Sequence, residues 1–382
     1  MTGSLVLVHL GGAIALLLWA THMVRTNVED AYGDALRLKL RHTLKNPLMA
    51  VGAGGALAVA FQSATAVTLL VASFAGSGIV SGTTGLMAVL GADLGSAFVV
   101  KLLSYDLSLL IPVAIFAGAV IYLSTDRRAW RQFGSILVGI GLLILSLRLI
   151  GEASEPLRES RILPVVVNYL SGDPITAFLI AAVTTWLFHS SVAFVLLTAA
   201  LAARGLMPAE LGVVMVLGAN LGGGLVAALL SRTMPLQSRA VPFGNLAIRG
   251  VGAVLALAAF ILFRPPLDML GAGAPLQVVH AHILFNAALI VLGLPFAGLV
   301  SRAVERVLAS AAPKPRVALE DREASALDPD ALGSPSRALA NVSRAVVGVC
   351  DTIEVMLKSI MELYEEPDPA RMEALAALDD RV

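Results

Sequence analysis

Displaced by 127 residues, the sequence matches itself without a gap. Gln62-Ser63-Ala64-Thr65-Ala66 falls on His189-Ser190-Ser191-Val192-Ala193, and Gly91-Ala92-Asp93-Leu94-Gly95 falls on Gly218-Ala219-Asn220-Leu221-Gly222. Leu102-Leu103-Ser104 falls on Leu229-Leu230-Ser231, and Leu10 and Gly12 fall on Leu137 and Gly139. Between 62–104 and 189–231, 18 of 43 positions are identical. A shared liking for Ala, Leu, Gly and Val would give only a few, so the chain is an internal duplication. Any fold it adopts must hold two like units.

The setting of those units follows from composition. Of 382 residues, 57% are hydrophobic and 14% charged, against about 45–50% and roughly 25% in soluble domains. Apolar runs at 5–24, 107–123, 133–150, 241–263 and 276–301 approach the ~20 residues a helix needs to cross ~30 Å of hydrocarbon. The expected fold is an all-α polytopic membrane protein. The run from Leu5 to Val24 has no basic residues before it and no convincing cleavage site, so it reads as a retained span. Lys+Arg and Asp+Glu stand at 27 each, which argues against a nucleic-acid partner. The single cysteine, Cys350, excludes an internal disulfide and a Cys-rich metal centre.

The remaining apolar stretches, 47–104 and 174–231, are studded with Gly, Ser, Thr and Pro. Irregular backbone survives in a membrane only when buried in protein or lining a cavity, so these stretches predict two re-entrant helical hairpins and two broken helices. At 31–46, Leu36, Leu40 and Leu44 recur every fourth residue among Arg37, Lys39, Arg41 and Lys45. That pattern suits an amphipathic helix in the interface or a cytosolic loop helix. Basic residues concentrate in 25–46, 124–132, 232–239 and after 301, while the opposite loops keep Arg158, Arg161, Arg204 and Arg264. The asymmetry predicts an outside N-terminus and a cytoplasmic C-terminus in the inner membrane. It also turns the second copy upside down relative to the first, the inverted repeat of secondary transporters, whose site lies between the copies.

Each hairpin turns at small hydroxyl and amide groups: Gln62, Ser63 and Thr65 in one copy, His189, Ser190 and Ser191 in the other. Such groups can donate to an oxyanion, and the half-helix that follows adds free N–H groups and a positive dipole end. Neither motif contains Arg or Lys, so a multiply charged anion there would need an accompanying cation. Asp93 and Asn220 hold equivalent places, and a carboxylate inside an apolar segment marks an ion path or a helix end. His280 and His282 are too close together to share a helix face and read as packing or interface residues, not ligands. No nucleophile–base pair, phosphate-cradling loop or metal cluster stands outside the repeat, so an enzyme is not expected.

These motifs, in this order, resemble the bacterial Na+/phosphate cotransporter family related to type II cotransporters. That family carries two Gln-Ser-Ser-Ser-type motifs, each followed by a Gly-Ala-Asn-Ile-Gly-Thr-Thr-type motif. Thr43-Leu44-Lys45-Asn46-Pro47 and His282-Ile283-Leu284-Phe285-Asn286 support the likeness, which covers about residues 8–305. It implies sodium-dependent symport of inorganic phosphate, with Gln62, Ser63, Thr65, His189, Ser190 and Ser191 binding substrate. Asp93, Asn220 and Ser96 would serve the cation, and no cofactor beyond Na+ is implied. The chain departs from the pattern at Ala64, His189, Val192 and Asp93, and at Ser96-Ala97 and Gly223-Gly224, which replace threonine pairs. Two other readings therefore stay open: carriage of another anion or coupling to protons, and a regulatory membrane protein that does not transport.

The domain reading places the first repeat at 1–123, the second with a final span at 124–305, and a linker at 306–337. At 338–382, Leu339, Val342, Val346, Val349, Ile353, Met356, Ile360 and Leu363 follow the 3-4 spacing of a bundle or coiled-coil seam. Many members of the family carry a PhoU-like helical domain there, and the segment is similar to its opening helices. A docking or homodimerisation helix for a cytoplasmic partner explains the seam equally well.

Overall fold

The computed structural model describes residues 3–43, 46–159, 162–311 and 335–365, with three isolated residues beyond. The chain divides into two units, 1–313 and 314–382. Among the described residues every regular element is helical. The first unit contains α1 (Gly3–Thr43), α2 (Pro47–Phe61), α3 (Ala64–Gly76), α4 (Gly82–Leu103), α5 (Leu110–Ser124) and α6 (Arg128–Ser154). It continues with α7 (Ile162–Gly172), α8 (Pro174–Phe188), α9 (Ser191–Ala203), α10 (Ala209–Leu230), α11 (Leu236–Phe263), α12 (Ala274–Gly293) and α13 (Ala297–Ala311).

The duplication is written into these boundaries. Helices α8, α9 and α10 begin and end at the residues that the 127-residue displacement assigns from α2, α3 and α4. Local chemistry sets each boundary. Pro47 and Pro174 open α2 and α8, where a missing N–H costs nothing. Asn46 and Asp173 cap them by accepting from the amides of Leu48 and Thr176. Both helices end on a non-glycine residue in the left-handed region, Gln62 at φ 51° and His189 at φ 53°.

Packing repeats as well. A Cβ on Gly91 would lie 1.9 Å from the Val51 carbonyl oxygen, and one on Gly218 would lie 2.1 Å from that of Phe178. Residues 51 and 178 are themselves equivalent, so each copy seats its long helix backbone-to-backbone on its short one, the small-residue contact typical of membranes. The central core gathers Leu17, Val100, Leu143, Leu196, Val216 and Val278, from α1, α4, α6, α9, α10 and α12.

Six described helices are long and apolar enough to cross a bilayer: Leu5–Tyr32, Gly82–Leu103, Arg128–Leu157, Ala209–Thr233, Leu236–Phe263 and Ala274–Ser310. Leu163–Gly172 and Pro174–Phe188 form a further pair bent by 109°. Leu48–Phe61, Ala64–Gly76 and Ser191–Ala203 are apolar but short, about 20 Å each at 1.5 Å per residue, as the interrupted segments predict. The sequence reading differs at three places. The apolar run 107–123, expected to cross the bilayer, gives α5, a 15-residue helix that is apolar but shorter than the six. The first span does not stop at Val24, and α1 runs on unbroken to Thr43, taking in most of the stretch read as a separate amphipathic helix. Residues 306–311, read as linker, continue α13.

In the second unit, α14 (Pro335–Glu365) carries the predicted seam as one helix, with Leu339, Val342, Val346, Ile353 and Ile360 exposed. Residues 312–334 and most of 366–382, including the break at Pro367 and Pro369, lie outside the described residues.

Candidate functional site

Ser63 and Ser190 adopt the same extended backbone, φ −155° and −151°, and each accepts the amide hydrogen of the residue three further on, Ala66 or Ala193, at 3.1 Å. This is N-capping by a hydroxyl oxygen. It leaves the hydroxyl hydrogen to donate elsewhere, and it leaves the first amides of α3 and α9 without intrahelical acceptors. The two turns meet. A single cavity of about 100 Å³ is lined by Gln62, Ser63 and Thr65 from one and His189, Ser190 and Ser191 from the other. All six residues assigned to substrate from the sequence therefore share one small chamber. Its volume is far below the ~300–1,000 Å³ of sites for drug-sized ligands and suits a compact inorganic ion.

The chamber also has a wall that the sequence reading did not supply. Thr21, His22 and Arg25 of α1 line it, so a fixed positive charge faces the two turns. Arg25 holds Glu29 one helical turn on, Nε to Oε1 at 3.0 Å, with 29% of its side chain exposed. The basic-residue count placed Arg25 in a loop because the apolar run stops at Val24; it belongs to the span Leu5–Tyr32. Two helix N-termini, the hydroxyls and a guanidinium make a setting for an oxyanion. Gln62 Oε1 is buried without a hydrogen-bond partner.

The second pair of motifs meets elsewhere. Asp93 of α4 and Asn220 of α10 are 2% and 0% exposed, and Arg249 of α11 joins them. Arg249 Nη1 donates to Asp93 Oδ1 at 2.7 Å, and Nη2 donates to Asn220 Oδ1 at 2.8 Å. Asn286 Nδ2 reaches the same Asn220 oxygen at 3.3 Å, and Asn220 Nδ2 lies 3.1 Å from His282 Nδ1. Ser96 is buried too, but its hydroxyl donates back to the Asp93 carbonyl at 2.8 Å. The three residues assigned to a cation thus cluster, with Arg249 among them. His282, read as packing, is fully buried inside this polar network, whereas His280 bonds the Leu270 carbonyl. Arg249 could have been found by one signal: a charged residue in the middle of an apolar run is costly and needs a partner.

The Na+/Pi-cotransporter family model matches residues 16–152 and 159–300. YjbB of Salmonella typhimurium, named as an inorganic phosphate export protein, is 34% identical over 378 residues, 99% of this chain and 69% of the relative. YjbB of Escherichia coli K12, named likewise, is 32% identical over the same share of both chains. YqeW of Bacillus subtilis, an uncharacterized protein, is 22% identical over 308 residues, 80% of this chain and 99% of the relative. No solved structure matches the chain.

Proposed function

This chain belongs to the Na+/Pi-cotransporter family, and we propose that it carries inorganic phosphate across a bilayer through the chamber where its two turns meet. One observation carries the reading: equivalent residues of two duplicated hairpins, with Arg25, line a single cavity of inorganic-ion size. Phosphate oxygens would accept from Ser63, Thr65, Ser190 and Ser191, from the first amides of α3 and α9, and from the Arg25 guanidinium. The copies, inverted in the membrane, would rock against each other to open the chamber to either side. Export is the direction that the names of the YjbB relatives support. Sodium symport is a second reading, favoured by the family's description; it would enlist Asp93, Asn220 and Ser96 as oxygen ligands.

The test is exchange of radiolabelled phosphate by the full chain in proteoliposomes. Exchange should far exceed that of empty vesicles, and Arg25→Gln should weaken phosphate binding by roughly 10-fold, the loss of one charge-assisted hydrogen bond. Exchange no faster than in empty vesicles would refute the reading. Stronger competition by unlabelled sulfate than by unlabelled phosphate would move it to another anion.

A further inference from the structure

The buried bridge between the copies is lopsided in a way that duplication does not explain. Asp93 and Asn220 are repeat-equivalent, but the 127-residue displacement lays Arg249 on Tyr122, at the end of α5. One guanidinium, added on one side only, satisfies an oxygen of both Gly-Ala-x-Leu-Gly motifs at 2.7 and 2.8 Å. Those oxygens are the ones that would ligate a coupling cation. The neighbours contributed by α12, His282 and Asn286, approach through side-chain nitrogens at the same knot.

A carboxylate buried to this degree cannot stay ionised without a cation beside it. In a symporter that cation arrives and departs with the substrate. Here it is covalently part of α11. The bridge also stands next to the substrate chamber. A Cβ on Gly223 would lie 3.3 Å from the Ser191 Cβ and 3.5 Å from both terminal nitrogens of Arg249. Gly223, where the first copy has Ser96, thus lies against both a chamber residue and the guanidinium.

We infer that Arg249 is a tethered cation standing in for a coupling ion at the Asp93/Asn220 position, so that phosphate crosses down its own gradient without a sodium requirement. The inference rests on the phosphate reading above and decides between its two forms. A cation that never leaves cannot convey the energy of an ion gradient. Net flux then follows the electrochemical gradient of phosphate alone, outward from a phosphate-rich, negatively charged interior.

The experiment is phosphate exchange by the full chain in proteoliposomes, with sodium or choline as the only monovalent cation. Exchange by the parent should change less than about twofold between the two media, whereas Arg249→Gln, which strips Asp93 of its partner, should become at least about tenfold faster in sodium. Unfolding of detergent-purified Arg249→Gln should shift to higher temperature with NaCl and not with choline chloride. Asp93→Asn/Arg249→Gln removes both charges and should lose both responses; it gives the neutral reference even where the single variant folds poorly. A tenfold fall in parent exchange on removing sodium would overturn the tethered cation and leave phosphate transport standing. Indifference of Arg249→Gln to sodium in both exchange and unfolding would overturn it as well. Absence of phosphate exchange in either medium would instead refute the phosphate reading, and this inference with it.

Discussion

The two copies share a skeleton and divide the chemistry. Their short helices start on proline, end in the left-handed region and hand over to a serine cap, and their long helices sit glycine-to-carbonyl on the short ones. At the turns and in the Gly-Ala-x-Leu-Gly motifs the copies differ in functional groups. The first offers Gln62, Thr65, Ser96 and Asp93; the second offers His189, Ser191, Gly223 and Asn220. Geometry is the same in both copies, while a buried carboxylate stands in one copy only and is paired by Arg249, which has no basic counterpart in the other. The comparison separates what builds the chamber from what tunes it.

The largest effect should come from attacking what the copies share. Gly91→Val and Gly218→Val each drive a side chain into a backbone carbonyl oxygen, and neither backbone can yield cheaply. Both should lose at least about 3 kcal/mol of stability, seen as loss of folded protein in thermal unfolding. Tolerance in one copy alone would show that the skeletons are not equally tight.

The capping serines come next. Ser63→Ala and Ser190→Ala remove a helix cap and a donor to the anion together. Phosphate affinity should fall roughly 10- to 100-fold in each variant by equilibrium binding. The expectation is parity: a large loss in one copy with none in the other would place the anion on a single turn. The smallest effect should follow exchange of the copies' own residues. Gln62→His and His189→Gln both keep a polar group at a left-handed position, and each should shift phosphate affinity by less than about threefold. A tenfold change in either would make that side chain a contact in its own right.

Much of this molecule is legible in its sequence because its organising signals are local or repeated. The displacement of 127 residues marks equivalent helix boundaries, since proline, asparagine or aspartate and serine act within a turn of where they stand. The shared chamber follows from the repeat. Arg249 was not legible in that way: its partners lie 156 and 29 residues away, and no periodicity joins them. The two-residue spacing from His280 assigns His282 to packing, although Asn286, one turn along the same face, points to a polar stripe. Arg25 was misplaced because hydropathy ends at the first charge, whereas a helix does not. The likeness of 338–382 to a PhoU-like domain finds no further support, since the family match ends at residue 300.

Gln62 and His189 sit at φ 51° and 53°, backbone that β-branched side chains scarcely enter and that costs other L-residues about 1–2 kcal/mol. Val, Ile and Thr are therefore barred from both places before any question of phosphate arises. Glycine, asparagine, aspartate and histidine pay least there. A backbone torsion thus acts as a filter on inheritance. Random substitution at either turn is steered toward small or polar residues, so a lineage could lose its substrate and still keep a hydrophilic chamber, ready to be given another.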